Sequence, residues 1–253
     1  MTGNTSDAAE ASGTVEIVDL GRIAYGPGYD AQQRHHAEVL GWRDEVAASQ
    51  GRATSRPLGR VLIVEHDPVI TISRRPGVAD HLLASPELLA SRGIATHETD
   101  RGGDITYHGP GQVVLYPIVD LKRSGIRVVE YVRLLEQAVI DTIAGYGIAG
   151  ERDDEATGVW VPSALGSHGA DGGGQASKVC AIGVRVRKWV TLHGLALNVR
   201  TDLTHFQTIV PCGLAGRPVT SLETLLGDRC PAFGEVARAV AARIGELLVG
   251  EEQ

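Results

Sequence analysis

Residues 101–117, RGGDITYHGPGQVVLYP, constrain this chain more than any other stretch. Gly102, Gly103, Gly109, Gly111 and Pro110 crowd into it, just ahead of an apolar run. Glycine tolerates positive φ and lets backbone approach a bound group closely, so the cluster reads as a shaped, substrate-facing loop that feeds a strand. A solvent-exposed turn is the simpler alternative. Such a turn has no need of Arg101, Asp104, Thr106, Tyr107 and His108 together.

With 253 residues the chain is long enough to bury a sizeable core, and no domain boundary stands out. A formal net charge of −7 argues against general affinity for nucleic acid, which needs a basic face. No run of eighteen apolar residues is present to span a membrane. Residues 1–13 are small and polar, without the basic start and apolar stretch of a signal peptide, and predict a disordered tail on a cytoplasmic protein. Cys180, Cys212 and Cys230 are too few and too scattered for a disulfide framework or a zinc site. The spacing of His108, His193 and His205 likewise fits no standard zinc pattern, so no metal is expected.

Strand-type runs are expected at 15–20, 61–65, 69–72, 112–121 and 158–161, with a tight turn at His66-Asp67-Pro68. Helical periodicity covers 29–49, with Ala31, His35, Val39, Trp42 and Val46 on one face, and 127–146, with Val128, Tyr131, Leu135, Val139 and Ile143 on one face. A short helix should open at Ser85-Pro86 and stop at Gly93. Runs at 177–186 and 190–199 predict a hairpin joined at Arg187-Lys188-Trp189. Further helices are expected from Asp202, near 220–226, and over 231–248. Residues 164–176 are mostly Gly, Ala and Ser and predict a flexible insertion. Interleaved but not strictly alternating elements give an α/β (α+β) class: one catalytic domain over 14–249, with a mixed, largely antiparallel sheet flanked by helices.

Cys212, between Pro211 and Gly213, is the strongest nucleophile candidate, because a sharp loop can present a thiol and backbone N–H groups to one point. Lys178 stands in an otherwise apolar strand and is the candidate proton partner; an edge-strand charge is the plain alternative. Cys180, two residues on, shares its face if the strand is regular, and its apolar setting favours core packing. Asn198 is a candidate oxyanion donor or a strand-ending residue.

With these residues in place, the chain from Val61 to Leu226 resembles the lipoyl(octanoyl) transferases, the octanoyl-acyl-carrier-protein:protein octanoyltransferases. The resemblance is carried by Glu65-His66-Asp67-Pro68-Val69 with Thr71, by Arg101 to Gln112, and by Lys178 with Ala181-Ile182-Gly183. His193-Gly194-Leu195-Ala196-Leu197-Asn198 and Pro211-Cys212-Gly213 with Thr220-Ser221-Leu222 complete it. It implies a fold like the biotin and lipoate protein ligases. It further implies transfer of an octanoyl group from octanoyl-acyl carrier protein to Cys212, and then to a lysine of a lipoyl domain, in a 2-oxoacid dehydrogenase E2 subunit or the glycine-cleavage H protein. No cofactor is implied. Lys178 would tune the thiol and carry protons. Arg101, Gly102, Gly103, Asp104, Ile105, Thr106, Tyr107, His108, Ala181, Ile182, Gly183, Gly194, Leu195 and Ala196 would line the acyl site, with Asn198 beside it.

Ser73 departs from the family's usual glycine and Cys180 from its usual alanine, and the 164–176 insertion is long. An ATP-dependent lipoate or biotin protein ligase, or a catalytically silent carrier-binding protein of the same fold, is the alternative. Neither needs the Lys178 and Cys212 pair. Arg74, Arg75, Arg185, Arg187 and Lys188 are candidates for a basic patch that docks acidic carrier proteins.

Overall fold

The computed structural model describes residues 13–50, 56–163, 175–210 and 217–250. The expectations for residues 1–12, for 164–174 and for Cys212 lie outside the described residues. A six-stranded sheet carries the fold, in the order β1 (Val15–Ile23), β2 (Gly59–His66), β6 (Gln112–Val119), β9 (Val190–Asn198), β8 (Ser177–Arg187), β7 (Gly158–Val161). Only β1 and β2 run parallel; every other pair in this sheet is antiparallel. A second sheet of three strands places β3 (Val69–Ser73) between β4 (Ala95–Thr99), parallel to it, and β5 (Ile105–His108), antiparallel. The mixed, antiparallel-dominated class expected from the sequence is the one observed.

One face of the large sheet is covered by α4 (Val128–Ala144) and α6 (Phe233–Val249), whose apolar stripes meet Val113, Leu115, Leu195 and Leu197. The alternate residues of those strands, Val114 and Ala196, turn to the opposite face and pack with Val39 and Trp42 of α1 (Tyr25–Ala48). Alternation along two central strands therefore assigns the helical core to one side and leaves the other for α1 and the small sheet.

Three local outcomes differ from the sequence reading. Helix α1 begins at Tyr25 rather than at residue 29. Gly26-Pro27-Gly28 looks like a breaker, but a proline in the first turn lacks only an N–H that the helix leaves unpaired. The buried stripe keeps Ala31, Val39 and Trp42 of the expected face but takes Gln32 and His36 in place of His35 and Val46. Residues 105–108, read as part of a loop, form β5, where a β-branched pair and an aromatic suit an extended chain. The 187–190 hairpin closes through Lys188 and Trp189, both at positive φ (52° and 64°). That is the geometry of a two-residue primed turn without its usual glycine or asparagine. Arg43 Nη1 donates to the Lys188 carbonyl and Leu121 N–H to the Trp189 carbonyl, which fixes the turn from outside.

Candidate active site

Between the large sheet and the small one lies a cavity. Its floor is Val114 and Tyr116 of β6, residues 194–196 of β9 and residues 181–183 of β8; its roof is Arg101, Gly103, Asp104, Thr106 and His108. The roof approaches the floor as closely as backbone allows. Gly102 N–H donates to the Val184 carbonyl, and a Cβ on Gly183 would sit 2.7 Å from the Gly102 carbonyl oxygen. On the floor, a Cβ on Gly194 would lie 2.1 Å from the Leu115 carbonyl oxygen. Gly102, Gly183 and Gly194 are thus demanded by close approach, and Gly103 by its φ of 89°.

Most polar side chains of the lining direct their polar atoms into the wall. Tyr25 Oη meets Thr99 Oγ1 at 2.8 Å, Tyr116 Oη meets His66 Nε2 at 2.7 Å, and His193 Nε2 meets Asp100 Oδ1 at 2.9 Å. Arg101 donates to the carbonyl and hydroxyl oxygens of Thr71, and Asp104 Oδ1 accepts from Ile105 N–H and pairs with His81. What these residues present inward is ring edge and methylene. A cavity built from polar residue types can in this way offer an apolar interior.

His108 is tied into a buried amide relay. Gln112 Nε2 donates to the Tyr107 carbonyl and to Asn198 Oδ1, so its Oε1 accepts from His108 Nδ1–H at 2.8 Å. Burial, with His66 next, pushes the His108 pKa down to about 3, so the imidazole is neutral, and with its proton on Nδ1 its Nε2 is unprotonated. His193 is held down to about 3 by burial and by the charges of Arg101 and Arg185. Asn198 Nδ2 donates to the Thr220 carbonyl, so its amide ties β9 to the segment that follows residues 211–216.

Lys178 lines a small chamber with Thr106, Gln112, Ala181, Ala196 and Asn198, and also an outer groove with Arg75, Gly102, Gly103 and Thr157. It comes to this side through an irregularity. Trp160 pairs with Lys178 and Val159 with Cys180, so β8 carries one extra residue, Val179, against β7. The extra residue reverses alternation: Lys178 shares the side of Ala181, while Val179 and Cys180 enter the core under α4 and α6. The expectation that Lys178 and Cys180 share a face fails for this reason. Burial raises the Cys180 thiol to about 12, which keeps it protonated.

The Lys178 ammonium donates to the Thr157 carbonyl at 3.2 Å and lies 4.6 Å from the centre of the Trp160 ring. Its side chain passes over Gly158, where an added Cβ would lie 3.4 Å from its Cε. Beneath, the fully buried Glu136 of α4 accepts from Gly158 N–H and pairs with Arg133 and Arg152, which orients the Thr157–Gly158 peptide. The Lys178 backbone N–H donates to the Pro218 carbonyl and its carbonyl accepts from Thr220 N–H. On the other flank, Val210 N–H donates to the His81 carbonyl. Both approaches to residues 211–216 are thus anchored to the walls of the cavity.

Of the residues named from the sequence, Gly103, Asp104, Thr106, His108, Ala181, Ile182, Gly183, Gly194, Leu195 and Ala196 line the main cavity together with Arg101. Gly102 lines the outer groove. Ile105 and Tyr107 point the other way, into a separate cluster with Ile70 and Phe206, because alternate residues of a strand face opposite sides. Tyr107 Oη meets His205 Nδ1 at 2.7 Å and so holds the 3₁₀ turn Leu203–Thr208 that leads toward residue 211. Ser73, the departure from glycine, is buried and donates to the Gly103 carbonyl at 3.0 Å, so the substitution adds a tie to the roof. Tyr25, Asp100, Tyr116 and Glu136 were not legible as site residues. Tyr116 and Glu136 sit in stretches whose pattern reads as ordinary strand and helix, and Tyr25 and Asp100 fall between the elements expected there. Glu65 of the Glu65-His66-Asp67-Pro68 stretch caps the turn at residues 108–111 by accepting from Gly111 N–H at 2.7 Å.

Residues 37–245 match the family of the lipoyl protein ligase A/B catalytic domain. Among curated proteins, an octanoyltransferase of Chloroflexus aurantiacus is 44% identical over 94% of this chain and 96% of its own length. One of Solibacter usitatus is 46% identical over 81% of each. A bi-partite lipoate protein ligase of Thermoplasma acidophilum superposes with a TM-score of 0.62 at 17% identity over 94% of this chain and 84% of its own, a likeness of fold. A lipoate-protein ligase A bound with ATP gives 0.60 at 15%, over 94% and 85%. The chain belongs to the lipoyl protein ligase A/B catalytic-domain family and, within it, to the octanoyltransferases.

Proposed function

We propose that this enzyme takes an octanoyl group from the thioester of octanoyl-acyl carrier protein onto Cys212 and passes it to a lysine of a lipoyl domain or glycine-cleavage H protein. The observation that carries this reading is the cavity itself: an interior faced by ring edges and methylenes, with Lys178 at one end. In the first step the Cys212 sulfur attacks the thioester carbonyl and the phosphopantetheine thiolate leaves, taking up the cysteine's proton through Lys178. In the second, the acceptor amine attacks the new thioester, Cys212 leaves as thiolate, and Lys178 receives the amine's proton. Exchange of one thioester for another is nearly balanced in energy, so no ATP is called for. Asn198 and Lys178 secure the chain that follows Cys212, through Thr220 and Pro218.

Incubation with octanoyl-acyl carrier protein in the absence of ATP, followed by intact-mass measurement, tests the proposal. An octanoyl adduct is expected on the wild type and on Cys180→Ser, and none on Cys212→Ser. An adduct that persists in Cys212→Ser would overturn the nucleophile, and transfer that required ATP would favour a ligase reaction.

A further inference from the structure

The main cavity has a definite far end. Lys178 and the Gln112–Asn198 pair stand at one end of the floor; Ala181, Ala196 and Val114 lie abreast in the middle; Gly183 and Gly194 come next, then Tyr116 and His193. From Asn198 to Gly194 is four strand residues, about 13 Å of floor. Tyr25, from the first turn of α1, lines the same cavity, its ring 5.3 Å from that of His66, to which the Tyr116 hydroxyl is bonded.

All three rings are buried and none is free to withdraw. His66 Nδ1 donates to the Ile23 carbonyl, so its Nε2 accepts from the Tyr116 hydroxyl. Behind His66 stands Gly28 of α1, where even a Cβ would come within 2.8 Å of the imidazole. The Tyr25 hydroxyl is bonded to Thr99. His193 is held by Asp100 through its ring and by Gln32 through its backbone N–H, while Tyr29 stacks on it at 5.7 Å and donates to the same Asp100. Arg185 completes the ion pair with Asp100.

We infer that Tyr25, Tyr116 and His193 form the end stop that limits the length of the acyl chain this enzyme accepts. The inference rests on the acyl-transfer reading of the same cavity. A chain whose carbonyl lies beside Lys178 runs over the two alanines and the two glycines and meets the rings with its terminal methyl. A longer chain must either displace a hydrogen-bonded ring or leave methylenes outside the cavity.

The test compares hexanoyl, octanoyl, decanoyl and dodecanoyl thioesters of acyl carrier protein on the wild type, on Tyr25→Leu and on Tyr116→Val. The readout is the kcat/KM ratio of each donor to octanoyl, with thermal melts to identify folded variants. The wild type is expected to discriminate against dodecanoyl. Either variant should raise the dodecanoyl-to-octanoyl ratio by about tenfold or more, the return from burying a few further methylenes. Ala196→Val, in the middle of the floor, should shift preference the other way, toward hexanoyl. If the wild type takes dodecanoyl as readily as octanoyl, the end stop is refuted whatever the variants do. A ratio unchanged in a folded Tyr25→Leu or Tyr116→Val refutes it equally. An absence of any adduct from every donor would instead defeat the acyl-transfer reading, so the two failures are distinguishable.

Discussion

At the scale of single residues, the site depends on neutral imidazoles. His108 and His193 are buried beside other rings and arginines, and both are held down to about 3. An unfolded chain titrates its histidines near pH 6.5, so between about pH 3 and 6.5 it binds protons that the folded chain does not. Stability from this source is complete above pH 6.5 and declines on acidification, by about 1.4 kcal/mol per pH unit for each histidine. Denaturant titrations at pH 7 and pH 5 should show the loss, and His108→Gln should show a shallower one; an equal slope in the variant would refute the assignment. Gly158 makes a separate demand. Its φ of 135° and the Cys180 carbonyl oxygen 2.5 Å from any added Cβ leave no room for alanine. Gly158→Ala should lower stability by about 2 kcal/mol or more. Because the Lys178 stem crosses this glycine, the variant should also lose acyl transfer beyond what its melting temperature explains.

At the scale of elements, β8 decides which side chains reach the cavity. A regular strand would send Lys178 and Cys180 to one face; the extra residue at Val179 separates them, one to the cavity and one to the core. That irregularity was invisible in the sequence, because a bulge depends on which strand lies alongside and how far it extends. The opening stretch was legible as the wall of a cavity but not as a structure. Its first half is a loop held by Ser73, Thr71 and Val184, and its second half contains β5, whose alternation sends Thr106 and His108 inward while Ile105 and Tyr107 face away. Lining residues were over-assigned there because a contiguous motif does not reveal which of its members share a side.

At the scale of the whole molecule, net charge and local charge separate. The chain carries −7, yet Arg74 and Arg75 are both exposed and Arg75 lines the outer groove beside Lys178. Arg185, also expected in a docking patch, is committed to Asp100, and Arg187 and Lys188 stand at the hairpin turn beyond it. The docking proposal is made for Arg74 and Arg75, of which Arg75 stands beside Lys178. Arg74→Glu with Arg75→Glu should raise the KM for octanoyl-acyl carrier protein several-fold at low salt, with little change in kcat, and the difference should shrink as salt screens the charges. Equal KM values at low salt would remove these arginines from the docking surface. Among the described residues no helix is long and apolar enough to cross a membrane. What the sequence by itself determined was the set of reactive residue types, the strands and helices with strong periodicity, and the glycines whose crowding announced a close approach. Each of those follows from local chemistry: backbone freedom, period and residue type. Only the tertiary structure decided which face Lys178 occupies, that Tyr25 from α1 and Tyr116 from β6 line one cavity, and that most polar lining residues turn their polar atoms into the wall. Those outcomes are set by partners distant along the chain, and no local pattern encodes a hydrogen bond across 74 residues such as that of Tyr25 with Thr99.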